Sequence, residues 1–340
     1  MSSLPHYARL SLRFVANSGR VAAARFVTSS AAGSGTVKAF PIAAESLSRR
    51  VVPRLTSAYS GFPKDLMYGP STALRRDGFG DDACFIAWHQ TADVVGVADG
   101  VGGWRTYGVD PSRFARSLMR MCEQLVRDGL FEPHKPAALI ADSYRELHRR
   151  ADRQRLVGSA TACVVMLDRQ SGRLHTANLG DSGFLVVRQG KIVHRSEEQQ
   201  HYFNTPFQLS LTPNTESGGF LSDSPESADT TSICVHEGDL ILLATDGLFD
   251  NMPLSLIENE LAQLREYDQD SIQRVCNSIA LAARRLAFDR NHMSPFAEKA
   301  KSALGVDARG GKPDDITVII AAVTSEEARA ESEGGKSDDQ

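Results

Sequence analysis

The stretch VVGVADGVGGW (residues 94–104) begins as an apolar run and changes character at Asp99. A short apolar run of this kind is typical of a buried strand. The carboxylate that ends it is followed by glycine at three of the next four positions. A single Asp-Gly pair indicates only a turn, so its meaning depends on whether other acids come near it.

Acids next to small residues recur at the ends of other predicted strands. A strand predicted over 83–89 follows an Asp-Asp pair, and another over 239–245 runs directly into an Asp-Gly pair. Each acid alone is explained by a turn or by a solvated strand edge. Clustered carboxylates, however, repel one another and need a cation between them. The acids in question are Asp81, Asp82, Asp99, Asp181, Asp246, Asp250, Asp314 and Asp315.

Hard oxygen ligands without paired His or Cys residues favour Mg²⁺ or Mn²⁺ over zinc. Glycine beside such ligands lets backbone carbonyl groups approach the ions. Two ions about 3.5–4 Å apart would activate a water molecule and stabilise a phosphoryl group under in-line attack. The acids therefore predict metal-assisted hydrolysis of a phosphoester.

The elements between the acids indicate two sheets packed together with helices outside, because runs of strands are separated by pairs of helices. Residues 196–231 form a polar stretch of weak periodicity, and a loop of that length is functional or disordered. Further strands are predicted over 159–167, 173–179, 183–188 and 315–323, and helices over 110–129, 136–151, 254–265 and 271–288.

The two ends of the chain differ in composition from its middle. Residues 1–44 carry five basic residues and no acidic one, and they are rich in Ala and Ser. This composition predicts an organelle transit peptide that is cleaved, with the mitochondrion favoured over the plastid; a disordered tail is the alternative. Residues 45–74 are predicted to be an irregular connector, and residues 325–340 a disordered acidic tail.

Composition excludes several classes of protein. The net charge of the 340 residues is −4, and without residues 1–44 it is −9 (−4 minus +5), which gives no electrostatic case for a nucleic-acid partner. No apolar run reaches the roughly 18 residues of a membrane-spanning helix. The five cysteines lie far apart, so we expect reduced thiols and neither a disulfide framework nor a zinc site.

The chain resembles the type-2C metal-dependent serine/threonine protein phosphatases in six motifs that follow the family's order: GDDACF, VVGVADGVGGW, GSATACVV, ANLGDSGFLVV, LLATDGLFD and KPDDITVII. The segment QQHYFNTPFQLSL (residues 199–211) further resembles the mitochondrial subgroup known as T-cell-activation protein phosphatase of type 2C. The resemblance implies a catalytic domain over 75–324 with an α+β fold. That fold is a four-layer αββα sandwich of two mainly antiparallel sheets flanked by helices.

The resemblance implies a site for two Mn²⁺ or Mg²⁺ ions. Asp99 would bridge both ions, and the backbone carbonyl of Gly100 would bind one of them. Asp246 and Asp314 would hold the other ion. Asp99, Asp246 and Asp314 would thus be the catalytic residues, with water as the nucleophile.

Four more acids match metal positions of the family. Asp81 stands at the position of an acid on the second ion, and Asp82 is its neighbouring acid. Asp181 and Asp250, together with Asp246, match positions that hold a third, weaker ion.

Three departures from the family pattern concern catalysis and phosphate binding. Val101 stands where many members have a histidine proposed as general acid, a role typically worth about 10²–10⁴-fold in rate. Asp77 stands at the position of the family's phosphate-binding arginine. Its neighbour Arg76 is the predicted phosphate ligand, and the alternative is a solvated surface arginine. Asp315 replaces an asparagine and is expected to organise its loop.

The resemblance implies a monomeric enzyme that removes phosphate from phosphoserine and phosphothreonine of proteins in the mitochondrial matrix. It also implies a part in mitochondrial metabolism, including coenzyme Q biosynthesis. One alternative is a catalytically weak pseudophosphatase that acts as a binding module; another is an enzyme for nucleotide or nucleic-acid phosphoesters. Residues 196–231 are the candidate for substrate selection.

Overall fold

The computed structural model describes residues 51–64, 79–213 and 220–327. Two short 3₁₀ helices lie at Gly102–Tyr107 and Pro225–Ser227. The α-helices are α1 (Ser112–Arg127), α2 (Pro136–Gln154), α3 (Asp246–Phe249), α4 (Leu254–Leu261), α5 (Gln269–Ala287) and α6 (Pro295–Leu304). The strands are β1 (Val51–Phe62), β2 (Ala83–Trp88), β3 (Ala92–Ala98), β4 (Gly158–Ala160), β5 (Ala162–Asp168), β6 (Arg173–Leu179), β7 (Gly183–Arg188), β8 (Lys191–Arg195), β9 (Gln200–Tyr202), β10 (Thr205–Pro206), β11 (Leu209–Leu211), β12 (Asp229–Cys234), β13 (Leu240–Ala244) and β14 (Ile316–Glu327).

Ten of these strands form two five-stranded sheets. Sheet I has the order β1-β14-β13-β7-β8, and sheet II has the order β12-β6-β5-β3-β2. All of their pairings are antiparallel. The remaining strands form two short ladders, β10 with β9 and β11 with β4.

Buried apolar side chains form three separate layers, which confirms the predicted αββα sandwich. Along β3, Val95 enters the layer between the two sheets, whereas its neighbour Val94 packs with Phe114 of α1 outside sheet II. Along β14, Ile319 belongs to the same central layer, and Ile320 packs on the α5 side of sheet I. Successive side chains of a strand point to opposite faces, so each sheet has one face on the other sheet and one on helices.

Several predicted elements agree closely with the structure. The strands expected over 173–179 and 183–188 have those bounds. The strand expected over 159–167 is instead broken at Thr161 into β4 and β5. The break has a local cause, because Thr161 donates its N–H to the Asp99 carbonyl and accepts the Asp99 N–H at its hydroxyl, 2.9 Å away.

The prediction of an irregular connector is wrong for residues 51–62. They form β1, which pairs with β14 over its whole length at the edge of sheet I. Pro53 concealed this strand in the sequence, and an edge strand tolerates proline because one side of its ladder needs no donor. The acidic tail likewise begins later than expected, because β14 continues to Glu327. Residues 1–44 and 328–340 lie outside the described residues.

The prediction of a structureless stretch over 196–231 is also wrong in part. It contains β9, β10 and β11, and β12 begins within it at Asp229. These first three strands have two or three residues each, too few to produce a periodic pattern, and β11 depends on pairing with the distant β4. Helix α6 was missed although Ser294 followed by Pro295 is a typical helix start; the Ser294 hydroxyl accepts the Ala297 N–H.

Two exclusions can be examined in the described part of the chain. None of its helices combines the length and apolar character needed to cross a membrane. All five cysteines lie in the described part of the chain, and none of them forms a disulfide; four are buried and Cys234 is exposed.

Asp93 joins the two sheets, and its removal should destabilise the domain. This carboxylate on β3 accepts the Leu55 N–H of β1 at 2.7 Å and the Arg54 Nε–H at 3.0 Å. We expect Asp93→Ala to lower the free energy of unfolding by about 1–3 kcal/mol, because it leaves a buried backbone donor unpaired. Urea titration measures this change. Asp142→Ala, which removes a half-exposed carboxylate paired with Arg145 at the surface, is the control with an expected effect within about 0.5 kcal/mol, and equal effects would contradict the prediction.

Candidate active site

Strand pairing brings two acids of sheet II to the same end of their strands. Ala83, the first residue of β2, pairs with Ala98, the last residue of β3. Asp82 precedes the first strand and Asp99 follows the second, so the two acids lie at the same end of the sheet. This juxtaposition follows directly from the antiparallel register.

The acids of sheet I also lie together at one end of their strands. β13 is the neighbour of both β7 and β14, and both pairings are antiparallel. Asp181 precedes β7, Asp246 follows β13, and Asp314 precedes β14. Asp82 connects these ends of the two sheets. Its Oδ2 accepts hydrogen bonds from the hydroxyl groups of Thr245, directly after β13, and of Thr317 in β14, each at 2.8 Å.

The strand ends of the two sheets that carry these acids enclose a cavity of about 260 Å³. Four carboxylates line it, and so do two ammonium groups that the sequence reading missed. The backbone from Gly100 to Gly103 forms part of its wall. The charged lining residues are Asp99, Asp181, Asp246, Asp314, Lys64 and Lys312.

Asp99 is the electrostatic centre of this group. It keeps part of its surface open, but the surrounding protein desolvates its carboxylate. Burial, followed by repulsion from Asp246 and Asp82 and then from Asp314 and Asp181, raises the pKa of Asp99 well above its usual value. A divalent cation at this position would offset the repulsion.

Asp82 and Asp181 are held in a similar way. Burial, with repulsion from Asp315, raises the pKa of Asp82 in spite of its two threonine donors. Burial and then repulsion from Asp246 raise the pKa of Asp181. Asp181 Oδ2 accepts a long hydrogen bond from Gln200 Nε2, 3.4 Å away. Both acids thus carry charge that the surrounding protein compensates incompletely.

Buried carboxylate oxygens without a hydrogen-bond donor indicate whether these residues suit a metal ion. A buried anionic oxygen without a partner is costly and favours a nearby cation. Among the described residues, the buried carboxylate oxygens of this site without a hydrogen-bond donor are Asp81 Oδ2, Asp82 Oδ1, Asp181 Oδ1 and Asp246 Oδ1. An all-oxygen donor set of this kind fits Mg²⁺ or Mn²⁺.

Lysine ammonium groups lie between the carboxylates. Lys312 Nζ contacts Asp246, and it lies 2.8 Å from Asp250 Oδ2 and 3.3 Å from Asp314 Oδ2. Burial alone would lower the pKa of Lys312, but these carboxylates outweigh it and raise the pKa above the usual lysine value. Among the described side chains, no group of three or more Asp, Glu, His or Cys residues already has the spacing of a metal site.

Lys64 reaches the cavity from the segment after β1. Its Nζ lies 3.3 Å from Asp314 Oδ1 and 3.6 Å from one oxygen each of Asp81 and Asp315. Here too the carboxylates outweigh burial and raise the pKa of the lysine. The sequence signal was hidden, because Lys64 lies in the stretch interpreted as a connector.

Two further interactions organise the loop around Asp81. The guanidinium of Arg105, in the first 3₁₀ helix, contacts Asp81 Oδ1. Asp315 accepts the Lys64 N–H at 2.7 Å and the Asp81 N–H at 2.9 Å, as expected for a residue that organises its loop. Arg76, the predicted phosphate ligand, lies outside the described residues.

The structure brings all the predicted metal-site residues to one end of the two sheets. Five of them line the cavity, whereas Asp81 and Asp82 lie behind it and Asp250 lies beside Lys312. Val101 lines the cavity at the position of the family histidine, and no histidine is among the described lining residues. The roles as ligands stay predictions. The five lining residues are Asp99, Gly100, Asp181, Asp246 and Asp314.

Comparison with known proteins identifies the family. The family described as Stage II sporulation protein E (SpoIIE) matches residues 95–324. The chain is 58% identical over 271 residues to the protein phosphatase PTC7 homolog of Xenopus laevis, covering 79% of this chain and 89% of that protein. The human protein phosphatase PTC7 homolog is also 58% identical over 271 residues, with 79% and 87% covered.

The fold has a solved counterpart in the photosystem II phosphatase PBCP. Its X-ray structure superposes with a TM-score of 0.65 at 28% identity, over 80% of this chain and 99% of that one. The chain therefore belongs to the SpoIIE/PP2C-type family of protein phosphatases, alongside the PTC7 homologues, and is a protein phosphatase.

Proposed function

We propose that this phosphatase hydrolyses phosphoserine and phosphothreonine of proteins by means of two Mn²⁺ or Mg²⁺ ions held at the cavity. The observation that carries the proposal is the set of buried carboxylate oxygens without donors around one cavity. Asp99, which the other acids surround, would hold the ions together with Asp246 and Asp314. Once bound, the ions would make a water molecule more acidic and neutralise charge on the phosphoryl oxygens.

The protein's own residues shape the approach of the phosphorylated side chain. Gly102 and Gly103 line the cavity, and a Cβ added at either position would meet no atom within 4 Å. This open wall leaves room for a substrate backbone. Lys64 and Lys312 add positive charge where a phosphate dianion would enter, which favours its binding.

The test is release of phosphate from a phosphoserine or phosphothreonine peptide and from an aryl phosphate, with Mn²⁺ and with a chelator. We expect Mn²⁺-dependent turnover by the native protein and a loss of turnover in Asp246→Asn. Equal background rates for the two proteins would instead favour the pseudophosphatase, the alternative suggested by Val101 in the cavity wall. Hydrolysis confined to nucleotides would favour the other alternative.

We also propose that the enzyme acts as a monomer in the mitochondrial matrix. The acid-free, arginine-containing residues 1–44 support this compartment. The likeness of residues 199–211 to the mitochondrial subgroup supports a part in mitochondrial metabolism, including coenzyme Q biosynthesis. A fluorescent fusion found diffuse in the cytosol would defeat the proposal on compartment. Phosphoproteomics of the isolated organelle with and without the protein would identify the substrates.

The β9–β10 hairpin is the part of residues 196–231 best placed to select protein substrates. Asn204 and Pro206 line the cavity, and Tyr202, two residues earlier, is 65% exposed. We expect Tyr202→Ala to lower kcat/KM for a phosphoprotein by about five- to tenfold, the cost of losing one aromatic contact, and to spare aryl phosphates. Trp88→Ala removes an exposed aromatic at the far end of β2 and is the control. Equal losses on both substrates would contradict a selective role.

A further inference from the structure

Neighbouring residues hold both the backbone and the side chain of Lys312 in place. Its backbone N–H donates to Asn251 Oδ1 at 2.7 Å, and its carbonyl accepts the Asn251 Nδ2–H at 2.8 Å. Its Nζ lies 5.1 Å from the centre of the Phe296 ring, within the range of a cation–π contact. The side chain is only 17% exposed. The ammonium group thus has a defined position.

The Lys312 ammonium group contacts the Oδ2 oxygen of each of three carboxylates. The contacts are to Asp246, to Asp250 at 2.8 Å and to Asp314 at 3.3 Å. Asp250 Oδ1 is also engaged, because Lys299 Nζ lies 3.3 Å away and is itself held by both oxygens of Glu198 at 2.8 Å. Both oxygens of Asp250 therefore face lysines.

Asp246 is in a different situation. Its Oδ2 contacts Lys312, but its Oδ1 is buried and has no donor in the described part of the structure. Asp181 Oδ1 is in the same state. The hydrogen bonds of the Lys312 ammonium in the described structure go to Asp246 and Asp250, whereas Asp314 Oδ2 is an ion-pair contact at 3.3 Å. Asp250 is thereby left with no uncompensated oxygen.

We propose that the Lys312 ammonium is a built-in cation that takes the place of a divalent ion between Asp246 and Asp250. This inference rests on the proposed two-metal function and specifies how many ions the site accepts. An ammonium group and a divalent ion between the same two carboxylates would repel each other strongly, because both would sit within a few ångströms in a poorly solvated space. Lys312 thus neutralises the position between Asp246 and Asp250 and restricts divalent ions to the part of the site around Asp99.

The experiment counts Mn²⁺ ions by isothermal titration calorimetry and by the electron paramagnetic resonance signal of free Mn²⁺. We expect the native protein and Lys312→Arg to bind two ions. Lys312→Met should bind one more, with an affinity at least about tenfold above any further binding by the native protein, since a unit positive charge is removed. Adding Asp250→Asn to Lys312→Met should abolish the extra site.

Lys299→Met is the matched control, because it frees one oxygen of Asp250 but leaves Lys312 in place; it should not add an ion. Equal numbers and affinities in the native protein and Lys312→Met would overturn the inference while leaving the proposed function intact. An anomalous-scattering peak between Asp246 and Asp250 in Mn²⁺-saturated crystals of the native protein would also overturn it, whether or not Lys312→Met folds. No Mn²⁺ binding by any variant would overturn both the inference and the two-metal function.

Discussion

Asp246→Asn will lower the Mn²⁺-dependent rate of phosphopeptide hydrolysis by at least about 10²–10³-fold, the usual cost of removing one preorganised electrostatic group from an active site. Asp246 follows β13 at the cavity edge, and repulsion from it is the largest charge effect on Asp99. Its buried Oδ1 has no donor in the described structure. Asparagine keeps the shape of the side chain but cannot supply the negative charge that would hold a divalent ion.

Asp239→Asn is the matched control for this experiment. Asp239 is a buried carboxylate just before β13, at the opposite end of the same strand, and it pairs with Arg188 at 2.7 Å. Its loss should reduce thermal stability but not turnover per folded molecule. Steady-state kinetics and melting curves on both variants separate the two effects. If folded Asp246→Asn retained more than about a tenth of native turnover, this acid would not be essential to the reaction.

Gly247→Ala will destabilise the domain by at least about 3 kcal/mol, the upper end of the usual cost of overpacking. A Cβ at this position would lie 1.9 Å from the backbone carbonyl oxygen of Asp315 and 3.2 Å from Ile316 Cγ1. The carbonyl cannot move freely, because β14 begins at the next residue. At about 2–4 °C per kcal/mol, the melting temperature should fall by about 6–12 °C. Differential scanning calorimetry measures this shift.

Gly103→Ala, at a glycine that lines the cavity, provides the comparison. A Cβ added at Gly103 would meet no atom within 4 Å, so its stability should stay within about 0.5 kcal/mol of the native value. If the two alanine variants melted together, the close approach of α3 to β14 would not matter for folding. A stable but inactive Gly247→Ala would mean that this glycine serves the chemistry and not the packing.

Much of the fold was predictable because strand and helix patterns are local. β6 and β7 have the predicted bounds, since each is a clear run of strand-forming residues between turn signals. The meeting of Asp82 and Asp99 was also predictable, because the acids flank neighbouring strands. In contrast, β1 was missed: it is an edge strand with a proline, and its partner β14 lies more than 250 residues further along the chain.

The lysines show where sequence reasoning about the site ended. Lys312 stands two residues before Asp314, but nothing local indicates that its ammonium also reaches Asp246 and Asp250. Lys64 is near Asp81 in space only because β1 runs alongside β14 and delivers its end to the cavity. Contacts of this kind depend on tertiary packing and leave no periodic pattern in the chain.

The sequence by itself determined the family, through six motifs in the family's order, and the αββα class that this resemblance implies. It also determined which acids meet, because carboxylates that flank neighbouring strands lie at the same end of a sheet. Only the tertiary structure decided which charges neutralise those acids. A salt bridge depends on the distance between two atoms, and residues such as Lys312 and Asp246 are separated by 66 positions in the chain. Their contact exists only after β13 and β14 have paired and fixed both backbones.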